Sequence, residues 1–216
     1  MVLRNKLDEI LSVEITLIDQ VLSIKDSLRE EVIRITREIL RYSTEATRLI
    51  HLENYEKAWQ NIVQASVLVK KLKELLKDHP DLYYSGLVYN SLSEYAEAYI
   101  SHRLIVGKEM PRRGDLDIPI IPYLQGLGDV IGELRRHVIT LLNRGDIKRA
   151  EEYLEAMEII YLWLRKLNYP DPLVPGLRHK VDVARRLIED TKVLLLNTKN
   201  AITISEKINQ LLQKLG

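Results

Sequence analysis

The 216 residues carry 32 basic and 31 acidic side chains, a net charge of +1, and no cysteine. This balance excludes a nucleic-acid binder recognisable by a strongly basic field alone, and the missing thiols exclude disulfides, thiolate metal sites and cysteine nucleophiles. The opening stretch is charged where a secretory signal is apolar, and no segment approaches the roughly 20 apolar residues of a membrane span, so a soluble, cytoplasmic protein is expected.

Apolar residues recur at helical spacing along nearly the whole chain, while alternating strand-like runs are scarce. The fold expected is all-α, a bundle of about seven helices forming one domain over 1–216, long enough to bury its own core. In chain order, a first helix is predicted over 3–23 and a second from Ser27 to His51, where Ser27 and Glu30 have the spacing of a capping box; the two also read as one rod. A third spans 54–77 and stops at Asp78-His79-Pro80, with Pro80 opening a fourth over 80–104. Residues 107–122 hold three prolines and two glycines and read as the longest loop. A fifth helix over 122–143 ends at Asn143-Arg144-Gly145, and Asp146 is the N-cap of a sixth over 147–168. A seventh covers 175–196, and Thr203 with Glu206 caps a short terminal helix over 204–214. The high charge content, 29%, is compatible with a thermophile.

Lysine and arginine are absent from two long intervals, the 25 positions 78–102 and the 21 positions 114–134. The first holds Glu94 and Glu97, the second Asp129 and Glu133, each pair spaced to share one helix face. Both faces lie opposite their own apolar stripes: Val88, Leu92, Tyr95 and Tyr99 on one helix, Leu124, Leu127, Ile131, Leu134 and Val138 on the other. Two solvated acidic faces are one reading, since an exposed like-charge pair costs only about 0.2–0.5 kcal/mol. In the other, the helices adjoin and the four carboxylates converge, which a divalent cation with a preference for oxygen donors, Mg²⁺ or Mn²⁺, would make tolerable. Such a site suits two-metal phosphodiester hydrolysis, with cations about 3.5–4 Å apart. No histidine has a Glu three residues before it, which argues against di-iron carboxylate chemistry, and no P-loop, GxGxxG, HExxH or CxxC motif is present.

The segments SEYAEAYISH (93–102) and PYLQGLGDVIGELRRHVITLLNRGDI (122–147) resemble the translin/TRAX family, and within it the TRAX branch. Tyr123-Leu124, Gly126, Asp129, Gly132-Glu133-Leu134, Arg136 and Gly145-Asp146-Ile147 follow the TRAX pattern, as do Glu94-Tyr95 and Glu97-Ala98, with a weaker match at Arg37, Ile39, Ser43 and His51. The resemblance implies a seven-helix protein, of archaeal or thermophile type, assembling into closed barrels that hold single-stranded nucleic acid or short RNA duplexes inside. It further implies a Mg²⁺-dependent endoribonuclease whose acids are Glu94, Glu97, Asp129 and Glu133, with Mn²⁺ as an alternative cation. The short Pro-rich loop and the lack of basic tails depart from the animal TRAX pattern, so a homo-oligomer such as a hexamer or octamer is the simpler expectation.

Among the bases, Arg34, Arg37 and Arg41, with Arg48, fall near one helix face and are candidate phosphate contacts, although Glu30, Glu38 and Glu45 interleave with them as in a salt-bridged surface. Arg136 and His137 flank the second acid pair and are candidates to hold the scissile strand or donate a proton. Gly126, Gly128 and Gly132 each cost about 0.5–1 kcal/mol in a helix interior, which points to close approach by another helix or by RNA. Three functions remain open: a metal-dependent endoribonuclease, a translin-like nucleic-acid-binding oligomer that does not cut, and a helical scaffold protein.

Overall fold

Apolar stripes on helices are covered only by packing helix on helix. The computed structural model, which describes residues 2–215, does so with eight helices among the described residues. Helix α1 (Val2–His51) is a single 50-residue rod. The cap expected at Ser27 does not form, because no glycine or proline interrupts the rod and Ser27 Oγ donates to the Ser23 carbonyl as a mid-helix hydroxyl does. After a turn, Asn54 caps α2 (Tyr55–Leu75), its side chain accepting from the Lys57 N–H at 3.3 Å.

The helix expected over 80–104 is two, α3 (Pro80–Tyr83) and α4 (Gly86–Ile105), parted where Ser85 turns to extended backbone. The Pro-rich loop contains a single turn, α5 (Arg113–Leu116), which ends on Asp117 in the left-handed region. Next, α6 (Ile120–Asn143) closes at Gly145, whose φ of 76° is left-handed, and Asp146 caps α7 (Ile147–Arg165) by accepting from the Arg149 N–H. Last comes α8 (Leu177–Leu215), also continuous. The separate terminal helix expected at 204–214 is its end, with Thr203 Oγ1 donating back to the Lys199 carbonyl.

Helix α4 lies at the centre, packed by α1, α2 and α6, while α7 and α8 cover the other side of α6. The face of α4 opposite its apolar stripe therefore meets α6 rather than water, and Ser91, Ser93, Ala96, Ala98 and Ser101 are buried on the helix. Their small size permits the approach. At Gly126 a Cβ would sit 2.6 Å from Ala96 Cβ and 2.9 Å from the Ser93 carbonyl oxygen, so only glycine fits there. His102 secures the opposite side, its Nε2 donating to the Tyr55 carbonyl at 2.9 Å and its ring stacked on Trp59. Helices α1 and α8 both outrun this body: residues 3–24 and 203–213 are exposed along their length. Among the described residues no helix is long and apolar enough to cross a membrane.

Candidate functional site

The tight α4–α6 contact has a chemical consequence. With Gly126 against Ala96, the next turns of the two helices carry Glu94 and Glu97 from α4 and Asp129 and Glu133 from α6 into one cavity of about 610 Å³. The C-terminal part of α1 walls one side with Thr44, Thr47, Arg48 and His51, and α8 walls another with Lys180, Val183 and Leu187. Gly128 and Gly132 lie on the floor. A Cβ on Gly128 would touch the Lys180 stem at 3.0 Å, so that glycine admits the lysine; at Gly132 the nearest atom, Leu187 Cδ1, is 4.0 Å away.

Four carboxylates in one partly buried space repel one another, and burial penalises each charge. Burial, then Asp129, Glu94 and Glu133, push the Glu97 carboxyl up to about 8, with Lys180 opposing. Glu94 is raised by burial and by Asp129, again against Lys180. Burial also raises Glu133, which Arg136 offsets and Glu94 and Asp129 reinforce. The compensating cation is Lys180, whose Nζ donates to both oxygens of Asp129 at 2.5 and 2.6 Å.

His51 Nε2 approaches Glu133 Oε2 to 2.8 Å, but the contact lacks hydrogen-bond alignment and leaves both buried atoms without a partner. Burial and the neighbouring Arg136 lower the His51 pKa, which favours the neutral ring. Among the described residues no three His, Asp or Glu side chains are drawn close enough to enclose a metal ion. The donor set nevertheless suits a hard divalent cation: it is built of carboxylate oxygens, one of them orphaned, and three of its members hold protons more tightly than free carboxyls do.

The basic candidates divide. Arg136 lines the acid cavity, and Arg48 joins it while bridging Glu45. Arg37 and Arg41 line an adjoining surface depression with Tyr42 and Asn61, Arg41 lying over the Tyr42 ring. Arg34 pairs with Glu31 and lines neither. His137 turns away from the acids, half-buried, with its ring edge-on to Tyr153 at 4.6 Å. Two cavity residues escape any reading of local spacing. Lys180 carries no distinguishing motif, and His51 is signalled only by a weak family match at the end of α1.

A family model described as Translin family matches residues 20–195. An uncharacterized protein of Methanocaldococcus jannaschii is 31% identical over 161 residues, 74% of this chain and 71% of that protein. Among solved structures, AfC3PO in a complex with duplex RNA superposes with a TM-score of 0.82 at 36% identity, covering 87% of this chain and 97% of that one. AfC3PO alone gives 0.80 at 35%, covering 87% and 98%. Apo-NeC3PO, at 24% identity and a TM-score of 0.74, shares the fold over 84% and 96% of the two chains.

Proposed function

Because this chain belongs to the translin family, we propose that it is an RNA-binding homo-oligomer that cuts RNA as a Mg²⁺-dependent endoribonuclease, with Glu94, Glu97, Asp129 and Glu133 as its acids. The observation that carries this is the gathering of all four carboxylates from α4 and α6 into one open cavity with a single lysine among them. The complex of the similar AfC3PO with duplex RNA supports RNA as the polymer bound.

In this reading Glu94 and Glu97 from α4 and Asp129 and Glu133 from α6, which line one cavity, would together hold Mg²⁺. A cation there supplies Lewis-acid stabilisation to a phosphodiester undergoing hydrolysis. Lys180 and Arg136, which both line the cavity, would be the cations that contact the phosphate backbone of the strand. His51, neutral and beside Glu133, is placed to accept a proton from water. Incubation with short RNA in Mg²⁺, with EDTA and Glu133→Ala as controls, tests it. Cleavage in Mg²⁺ alone, lost in both controls, is expected; cleavage undiminished by the substitution would rule these acids out.

An assembly that binds RNA without cutting it is favoured instead by one observation: Lys180 already neutralises Asp129. Salt-sensitive RNA binding with no metal-dependent products would establish that alternative.

A further inference from the structure

Beside its buried stripe of Leu177, Ala184 and Ile188, helix α8 has two flanks. Lys180, Val183 and Leu187 line the acid cavity on one of them. Arg178, Asp182 and Arg185, on the other, line a separate cavity of about 770 Å³ that α8 forms with the end of α7 and the loop between them. Arg165 and Tyr161 face it from α7, and Tyr169 from the loop. The loop wall is fixed in advance: Pro170, Pro172 and Pro175 restrict its backbone, Asp171 Oδ1 accepts from the Gly176 N–H at 3.1 Å, and Gln125 Nε2 donates to the Pro175 carbonyl at 2.9 Å. The cations are uncommitted. Asp182 sits at helical spacing from Arg178 and Arg185, yet every ion pair among the described residues lies elsewhere. Three guanidinium groups thus border a preformed space with no carboxylate paired to any of them.

A guanidinium pairs its N–H donors with phosphate oxygens, and nucleobases stack on tyrosine rings and guanidinium planes. The order of residues along the cavity suits a ligand with both parts. Because α7 and α8 run antiparallel across a short loop, Arg165 at the end of α7 and Arg178 at the start of α8 stand at the same end. No acidic residue occupies the first turn of α8, so the positive end of its macrodipole adds to theirs. Asp182 follows one turn along α8 and Arg185 a further turn, while Tyr161 lies one turn before Arg165 on α7. From Arg178 to Arg185 is about 10 Å at the helical rise, the reach of a nucleotide rather than of a phosphate ion. We propose that this cavity binds a ribonucleoside 5′-phosphate, free or at the end of an RNA, with its phosphate on Arg165 and Arg178, its ribose hydroxyls donating to Asp182 and its base between Tyr161 and Arg185.

Calorimetric titration of the full-length chain with AMP and with UMP, in EDTA, tests this; without a divalent cation the result stands apart from the cleavage reading. Saturable binding is expected, weakened at least about tenfold in Arg165→Ala/Arg178→Ala by the loss of two charge-assisted contacts, and unchanged in Arg136→Ala, which alters the acid cavity. Inorganic phosphate and adenosine should each bind at least about tenfold more weakly than AMP. No saturable binding of either nucleotide, binding that survives the double substitution or is lost in Arg136→Ala, or phosphate as tight as AMP would overturn the proposal. Competition identifies the source. A short RNA with a 5′-phosphate that displaces AMP, where the same RNA with a 5′-hydroxyl does not, assigns the cavity to an RNA end, and failure of both assigns it to the free nucleotide. Equal displacement by both would overturn it, since the terminal phosphate would then play no part.

Discussion

Lys180 Nζ holds both carboxylate oxygens of Asp129, at 2.5 and 2.6 Å, from a helix 51 residues further along the chain. The pair is partly screened, with side chains 27% and 33% exposed, and the lysine stem lies in the space left by Gly128. The ammonium thus neutralises the carboxylate that the proposed divalent cation would share.

Lys180→Met keeps the stem and removes the charge. Without divalent cation, Asp129 is left in a negative cavity, and the variant should lose about 1–2 kcal/mol, less than the penalty for a fully buried pair. In Mn²⁺ the loss should shrink or reverse, because the competing cation is gone. Thermal melts of both proteins in EDTA and in Mn²⁺ measure this; an equal Mn²⁺ response in the two would show that Lys180 and the metal do not share Asp129.

Sequence spacing reached the acids and not their surroundings. Glu94 with Glu97 and Asp129 with Glu133 are legible because a helix places i+3 and i+4 neighbours on one face, and their setting inside long intervals without Lys or Arg is visible in one dimension. That interval is local, however, and Lys180 fills it from another helix. The same limit explains the helix ends. Ser27 with Glu30 and Thr203 with Glu206 have capping spacing, but a serine or threonine hydroxyl serves equally well bonded back one turn inside a helix, which is what Ser27 and Thr203 do. Glycines at 126, 128 and 132 did announce close approach, and only the packing separates their roles: one admits α4, one admits Lys180, and one faces the cavity.

That separation predicts opposite signs for one substitution at two sites. Gly126→Ala forces a methyl to 2.6 Å from Ala96 Cβ and against the Ser93 backbone, and should cost about 1–3 kcal/mol as the α4–α6 contact opens. Gly132→Ala meets nothing nearer than 4.0 Å and should stabilise by about 0.5–1 kcal/mol through the stiffer unfolded chain. Urea unfolding of the two variants decides it; similar losses at both would mean the α6 glycines share one structural role.

Among the arginines, Arg136 borders the acid cavity while Arg34 is engaged with Glu31. Arg136→Ala should weaken RNA binding at low salt and reduce the log–log salt slope by about 1, the signature of one lost phosphate contact. Arg34→Ala should leave both unchanged. A salt titration of fluorescent RNA binding reads the slopes, and equal effects from the two variants would remove the cavity as the strand's path.

The pH dependence of stability isolates Glu97. Burial and three neighbouring acids raise its carboxyl to about 8, so the folded protein keeps a proton there that the unfolded chain releases near pH 4.5. Between those values the folded state binds more protons, and stability contributed by this group is fully present below about pH 4.5 and is lost as pH rises through about 8. Glu97→Gln mimics the protonated form at every pH. It should match the wild type near pH 5 and exceed it at pH 9 by at most about 4 kcal/mol, the ceiling set by the shift. Mg²⁺ supplies the neutralisation by another route, so in the proposed nuclease it should raise the wild-type melting temperature most at high pH and the variant's least. A Glu97→Gln melting curve parallel to wild type from pH 5 to 9 would mean that Glu97 is already charged in the folded protein, and the crowding of the four acids would then carry no energetic weight.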